Sequence, residues 1–271
     1  MADATLVSPR LVARGFTLVE LLLVIVLIGI LAVLGGRLLI QPFQANADVQ
    51  RRAGLADAAD QALSRLSRDL RLALPNSVRL PTAQSVELML TASGGRYRAQ
   101  ADAGGAGDAL DFTAADTSFD VVGGLATTPQ AGQWAVIYNL TPTGLQGNAY
   151  RGDNRATVTG GSATQIQIAP FLFPFASPRQ RVYLVDDVVT YACDLSTGRL
   201  RRYWGYTPSA TPSASPAGAS SALVVDRVTA CQFSYDDGAG SRHGLVTLRL
   251  SLAEDGERVS LLKQIHVPNV P

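Results

Sequence analysis

Cysteine and histidine are scarce, with two of each in a chain of 271 residues. No CxxC pair occurs, so the usual zinc spacings are missing. Neither sign of charge dominates: Lys+Arg is 23 and Asp+Glu is 22. That balance argues against a basic nucleic-acid-binding face, and equally against an acidic disordered chain. There is no GxSxG elbow. The glycines of residues 99–109 do not complete a GxGxxG fingerprint, and no βαβ unit surrounds them. Asp186-Asp187 and Asp236-Asp237 lack the alternating oxygen spacing of an EF loop. Asp236-Asp237-Gly238 reads instead as a hairpin turn. His243 and His266 fall in or beside strand-like runs and read as sheet residues rather than general bases. On these grounds the chain reads as a non-enzyme with no cofactor and no nucleic-acid partner. Hydrophobic residues, at 47%, are still enough for a sizeable core.

What the sequence does have is one long apolar run, beginning RGFTLVELLLVIVLIG at residues 14–29. From Leu21 to Gly36 no residue is charged. Apolar flanks extend the zone over residues 16–40, interrupted by Glu20 and Arg37. A membrane-spanning helix needs about 20 residues, so this composition says membrane. A carboxylate at the bilayer centre costs roughly 2.5–3.5 kcal/mol, and Glu20 therefore calls for a partner. Two readings compete. An ordinary signal peptide would be cut near Gly35-Gly36, which leaves Glu20 without a use. The other reading cuts after Gly15 and retains the run.

Arg14-Gly15-Phe16-Thr17-Leu18-Val19-Glu20, followed by the apolar run, resembles the class III signal of type IV pilins and pseudopilins. The resemblance implies a leader, residues 1–15, removed by a prepilin peptidase between Gly15 and Phe16. It implies N-methylation of Phe16, and it makes Glu20 the membrane-embedded carboxylate that sets assembly register. The physics agrees. Cleavage exposes an α-amine with a reference pKa near 7.7–8.0. Phe16 and Glu20 lie about 6 Å apart along a helix. A neighbour displaced axially brings its Phe16 ammonium beside Glu20, and two charges costly alone in lipid become tolerable together.

The helix is expected to continue past the membrane over residues 41–74. Val49, Leu55, Ala59, Leu63, Leu66, Leu70 and Leu74 draw an apolar stripe, with Arg51, Arg52, Asp57, Asp60, Arg65, Arg68, Asp69 and Arg71 on the other faces. Asp48 and Arg52 are ordered for an i,i+4 ion pair. Pro42 should kink or loosen the helix, Gly35-Gly36 weaken it, and Pro75-Asn76 end it. Beyond Pro75 the period changes to two. Strands are expected at 77–80, 85–90, 133–139, 163–169, 181–192, 199–204, 223–228, 230–235, 244–252 and 259–267. The fold class is α+β: one long helix, membrane-spanning in its first half, packed on an antiparallel β domain at 75–271.

Residues 99–109 and the Ser/Pro/Ala-rich stretch 207–222 read as flexible loops, the second being a solvated connection or a glycosylated or partner-contacting one. It lies between Cys193 and Cys231. In a long extracytoplasmic domain two cysteines most simply form one disulfide, the alternative being two buried thiols. Closing that loop is worth roughly 3–4 kcal/mol in the chain-entropy model. Phe171, Phe173 and Phe175 alternate with prolines and read as packing residues, with a sugar-binding surface as the alternative.

Four further stretches, Arg65 to Arg79, Val189 to Cys193, Gly198 to Arg202 and Cys231 to Tyr235, resemble MshO-type minor pilins of the MSHA (mannose-sensitive haemagglutinin) pilus, as does the closing His266-Val267-Pro268-Asn269-Val270-Pro271. The J-type pseudopilins of type II secretion share the general layout. The resemblance implies a minor subunit that primes filament assembly at or near the tip. Its partners would be other minor and major pilins, the prepilin peptidase, the inner-membrane assembly platform and membrane lipid. Its location would be single-pass in the inner membrane with a periplasmic β domain, then the filament. The rival readings are a J-type pseudopilin, a tip adhesin that binds a surface glycan, and a membrane-tethered hydrolase, for which no site is found.

Overall fold

The computed structural model describes residues 15–238 and 243–271, with the backbone alone for 36–45. Residues 1–14 of the expected leader lie outside the described residues. The chain divides into two compact units, with the boundary between Arg51 and Arg52. The only helix among the described residues, α1, spans Leu18–Arg71. It is continuous through Gly35-Gly36 and Pro42, where the sequence predicts loosening.

In the first unit, Leu18–Gly35 is long and apolar enough to cross a membrane, and none of it is buried within the protein. Asp48 pairs with Arg51, one residue earlier than the expected Arg52. Val49, placed on the apolar stripe by its spacing, is exposed.

In the second unit α1 follows its hydrophobic period. Leu55, Ala59, Ala62, Leu63, Leu66 and Leu70 are all buried. A fully buried leucine contributes about 1.5–3 kcal/mol, so this face holds the helix onto the sheets. The helix stops at Arg71, three residues before the predicted end, because the neighbouring strand captures its last residues. The Leu72 carbonyl accepts from Thr91 N at 2.9 Å, and Leu74 N donates to Met89 O at 2.8 Å. Ala73 bridges to Leu90.

Twelve strands follow: β1 (Arg79–Thr82), β2 (Ser85–Tyr97), β3 (Asp116–Val122), β4 (Trp134–Ile137), β5 (Arg155–Ser162), β6 (Gln165–Phe171), β7 (Arg181–Asp194), β8 (Arg199–Trp204), β9 (Ser220–Val225), β10 (Val228–Asp236), β11 (His243–Glu254) and β12 (Glu257–Pro268). All pairings are antiparallel, as the alternation predicts. β3 and β5 are strands that the periodicity does not announce. Each places only two apolar side chains inward, Phe119 and Val121 on β3 and Ala156 and Val158 on β5. β9 begins at Ser220, so the Ser/Pro/Ala stretch ends in a strand rather than running as loop to residue 222.

The nine-stranded sheet runs β1-β2-β3-β6-β5-β4-β7-β8-β9, with β2 also pairing β7. That extra pairing closes β2, β3, β6, β5, β4 and β7 into a ring. Tyr97, Phe119, Ile137, Ile166, Phe173 and Leu184 help to fill it. Gly95 on β2 has a steric reason: a Cβ there would come within 2.6 Å of Val121 Cγ1. The other ends of β2 and β7, with β8, share a core with α1 and with the three-stranded sheet β10-β11-β12. The turn between β11 and β12 is Asp255-Gly256, with φ of 47° and 88°, the left-handed pair that a two-residue type I′ hairpin requires. At the predicted Asp236-Asp237-Gly238 turn, Gly238 N donates to Asp236 Oδ1, and residues 239–242 lie outside the described residues.

Candidate functional site

The first candidate site is the start of α1. Gly15 precedes the helix, and a Cβ there would meet no atom within 4 Å. Neither packing nor a left-handed backbone therefore asks for glycine at this position. Phe16 is 75% exposed, a costly state for a phenyl ring in water. Thr17 is the N-cap: its carbonyl accepts the first helical bond from Leu21 N at 3.2 Å. Its hydroxyl oxygen accepts from Glu20 N at 3.3 Å. Thr17 and Glu20 thus hold the capping-box positions, Thr-x-x-Glu. Glu20 lies in the first turn, where a carboxylate favours the helix dipole by about 0.3–1 kcal/mol. The reading from sequence singled out Glu20 and passed over Thr17, although the three-residue spacing was the available signal.

The second candidate is a buried polar cluster in the second unit. Arg79 is 4% exposed and Glu87 2%, on paired strands β1 and β2. Arg79 Nε donates to Glu87 Oε2 at 2.6 Å. Its Nη2 donates to Ser209 O at 2.7 Å, and its Nη1 to Ala210 O at 3.1 Å. The guanidinium stacks over the Tyr150 ring, 3.5 Å from its centroid. Glu87 Oε1 accepts the Tyr206 hydroxyl at 2.9 Å. That uses the only Tyr206 proton, so Thr190 Oγ1, at 2.6 Å, donates to the Tyr206 oxygen. Burial, and then the Glu87 charge, push both the Tyr150 and Tyr206 phenols up, so they act as neutral hydrogen-bonding groups. The network satisfies its own buried hydrogen-bonding groups. Its evident consequence is that the 205–219 connection, which reads from sequence as free, is anchored at its base.

A third polar pair ties the helix to the sheet. Asp69, placed by its spacing off the apolar stripe, accepts from Arg202 Nε and from the Tyr191 hydroxyl, both at 2.8 Å. Removing the carboxylate leaves a half-buried cation and a hydroxyl unpaired. Asp69→Ala should therefore cost about 1–3 kcal/mol. A lowered urea midpoint, read from Trp134 and Trp204 fluorescence in the detergent-solubilised chain, is the check; an unchanged midpoint counts against the pairing.

Cys193 and Cys231 are bonded, with Cα atoms 6.3 Å apart, joining the end of β7 to β10. Gly15, Phe16 and Glu20 belong to the other unit. Phe173 is buried and meets Phe171 edge-on at 4.9 Å, so these rings pack rather than form an open aromatic platform. His243 and His266 sit on adjacent strands with ring centroids 6.4 Å apart, both exposed. Asp186 accepts from Gln133, and Asp187 from Gly205 N at 3.0 Å. Among the described residues, no group of three or more His, Cys, Asp or Glu side chains is placed to hold a metal.

Residues 10–35 match a family model described as the prokaryotic N-terminal methylation motif. No curated protein and no solved structure matches the chain. The matched segment covers Gly15, Phe16, Thr17 and Glu20 together with the exposed apolar helix. The match supports a type IV pilin-like protein that is processed at its N-terminus, and the apolar helix fits membrane anchoring.

Proposed function

We propose that the chain is a minor type IV pilin or pseudopilin, held in the inner membrane by residues 16–40 and built into a filament through α1. The observation that carries this reading is the methylation motif lying on a fully exposed apolar helix. Gly15 supports it, because the chain's own packing gives that glycine no purpose and a peptidase specificity pocket would. The peptidase cuts between Gly15 and Phe16 and methylates Phe16. The new ammonium neutralises Glu20 of an axially displaced neighbour, which selects subunits in the correct register. Thr17 holds the first turn so that Glu20 is presented at a defined height. The Cys193–Cys231 bond fits a periplasmic β domain in an oxidising compartment.

Within that class we read the chain as an MSHA-type minor subunit near the filament tip, on the resemblance of residues 65–79, 189–193, 198–202 and 231–235. A J-type pseudopilin of type II secretion has the same physics and different partners. Subunits that co-purify with the chain separate the two. Intact mass of the membrane-extracted chain tests the class: loss of residues 1–15 with gain of one methyl group is expected. A mature chain that begins beyond Gly36 refutes it. Glu20→Ala should lower filament incorporation at least about tenfold, since an unmatched ammonium in lipid costs roughly 2.5–3.5 kcal/mol. Immunoblotting of sheared filaments against membranes measures it, and unchanged incorporation contradicts the register role.

A further inference from the structure

β9 ends the nine-stranded sheet, and among the described residues no strand pairs with its outer edge. The second-unit part of α1 runs beside it, leaving an open groove of about 510 Å³. Ala58 and Ala62 on the helix and Leu223 to Val225 on the strand form its walls. The alanines leave room for a backbone between helix and strand. Leu223 is 48% exposed in the free chain. β9 spans about 20 Å and turns alternate N–H and C=O groups outward, a ready template for a further strand. Exposed edges are usually blunted by charge or proline. The β9 sequence SSALVV carries neither, and a one-residue register shift opposite Val224 is its single irregularity.

Charge indicates what the groove accepts. Arg65 and Arg68 line it from the helix, both exposed, and neither has a carboxylate partner among the described residues. Asp226, at the end of the groove, is matched by its neighbour Arg227 at 3.0 Å. The helix dipole accounts for Arg68 in the last turn but not for Arg65, which lies before it.

We propose that this groove binds an extended acidic segment of a different chain, added as a strand to the β9 edge, with its carboxylates on Arg65 and Arg68. The groove lies wholly within the second unit, so its occupancy is independent of how Gly15 and Phe16 are processed.

The test titrates the isotope-labelled, detergent-solubilised full chain with two blocked octapeptides, one alternating Glu and Val, the other alternating Lys and Val. The acidic peptide is expected to shift the amide resonances of Ser220 to Val225 and to bind at least about tenfold more tightly than the basic one. Arg65→Glu with Arg68→Glu, at exposed positions, should weaken the acidic peptide at least about tenfold while leaving the urea midpoint unchanged. Neutralising Arg65 alone with Gln should give an intermediate loss. The proposal is overturned if those amides do not respond to the acidic peptide, if the basic peptide binds as well, or if the double variant binds undiminished. Amide shifts that grow with chain concentration alone also overturn it, because the occupant would then be a second copy.

Discussion

Arg79→Ala is expected to destabilise the β domain by about 3–5 kcal/mol, the usual cost of breaking a buried ion pair. Nearly all of its side chain is shielded, with 3% of it exposed against 2% for Glu87. The variant leaves the Glu87 carboxylate desolvated, and it removes the donors that serve the Ser209 and Ala210 carbonyls. At a slope of about 2–3 kcal/mol per molar urea, the midpoint should fall by roughly 1–2 M. Trp134 and Trp204, the only two tryptophans, both lie on strands of this unit, so their fluorescence reports the transition directly. A fall of less than about 0.3 M would refute the role of this pair.

A second variant separates the ion pair from its surroundings. Buried pairs replaced together by apolar residues of similar volume are often neutral. Arg79→Met with Glu87→Leu should not be neutral here. The Tyr206 hydroxyl loses its acceptor, and the loop carbonyls lose their donors. Each unmade buried bond costs about 1–3 kcal/mol. The double variant is therefore expected to recover only part of the loss. Limited proteolysis should then cut within residues 207–219, because the network that holds the base of this connection is gone.

Removing the disulfide is the second large effect. Cys193 and Cys231 are separated by 38 residues, which in the chain-entropy model corresponds to roughly 4 kcal/mol, within the 2–5 kcal/mol usual for native bridges. The bond joins the end of β7 to β10, and so ties the nine-stranded sheet to the three-stranded one. One backbone bond beside it crosses the same seam from the turn between β1 and β2: Phe233 N donates to Ala83 O at 2.8 Å, while Cys193 N donates to Gln84 O at 2.9 Å within the nine-stranded sheet. Cys193→Ala with Cys231→Ala should therefore still fold, with native tryptophan emission and a urea midpoint lower by roughly 1–2 M. Reductant should lower the wild-type midpoint similarly and leave the double variant unmoved. Equal midpoints with and without the bond would exclude a stabilising role.

The N-terminal site was legible because its information is local. Gly15, Phe16 and Glu20 fall within six consecutive residues, and the apolar run beside them declares its environment by composition alone. Only Thr17 escaped notice, through a capping signal overshadowed by the carboxylate it accompanies. The strands with strong alternation were equally visible. β3 and β5 were not, because two inward apolar residues apiece give too weak a period against Thr, Ser, Asp and Gly. The partners of Asp69 were not legible for a related reason. Helical spacing places it off the apolar stripe, and the residues that cover it, Tyr191 and Arg202, arrive from strands 122 and 133 positions later.

By itself the sequence determined the long helix, its apolar, membrane-suited beginning, the buried stripe from Leu55 to Leu70 and the antiparallel character of the rest. Each depends on residues a few positions apart, and backbone geometry turns such spacing directly into a face. Tertiary structure alone decided the closure of β2 onto β7, the anchoring of the 205–219 connection by Arg79, and the open edge of β9 beside α1. These depend on which strand returns to which neighbour across a hundred or more residues. That choice is made by the summed burial of whole faces, and no single stretch of the chain carries it.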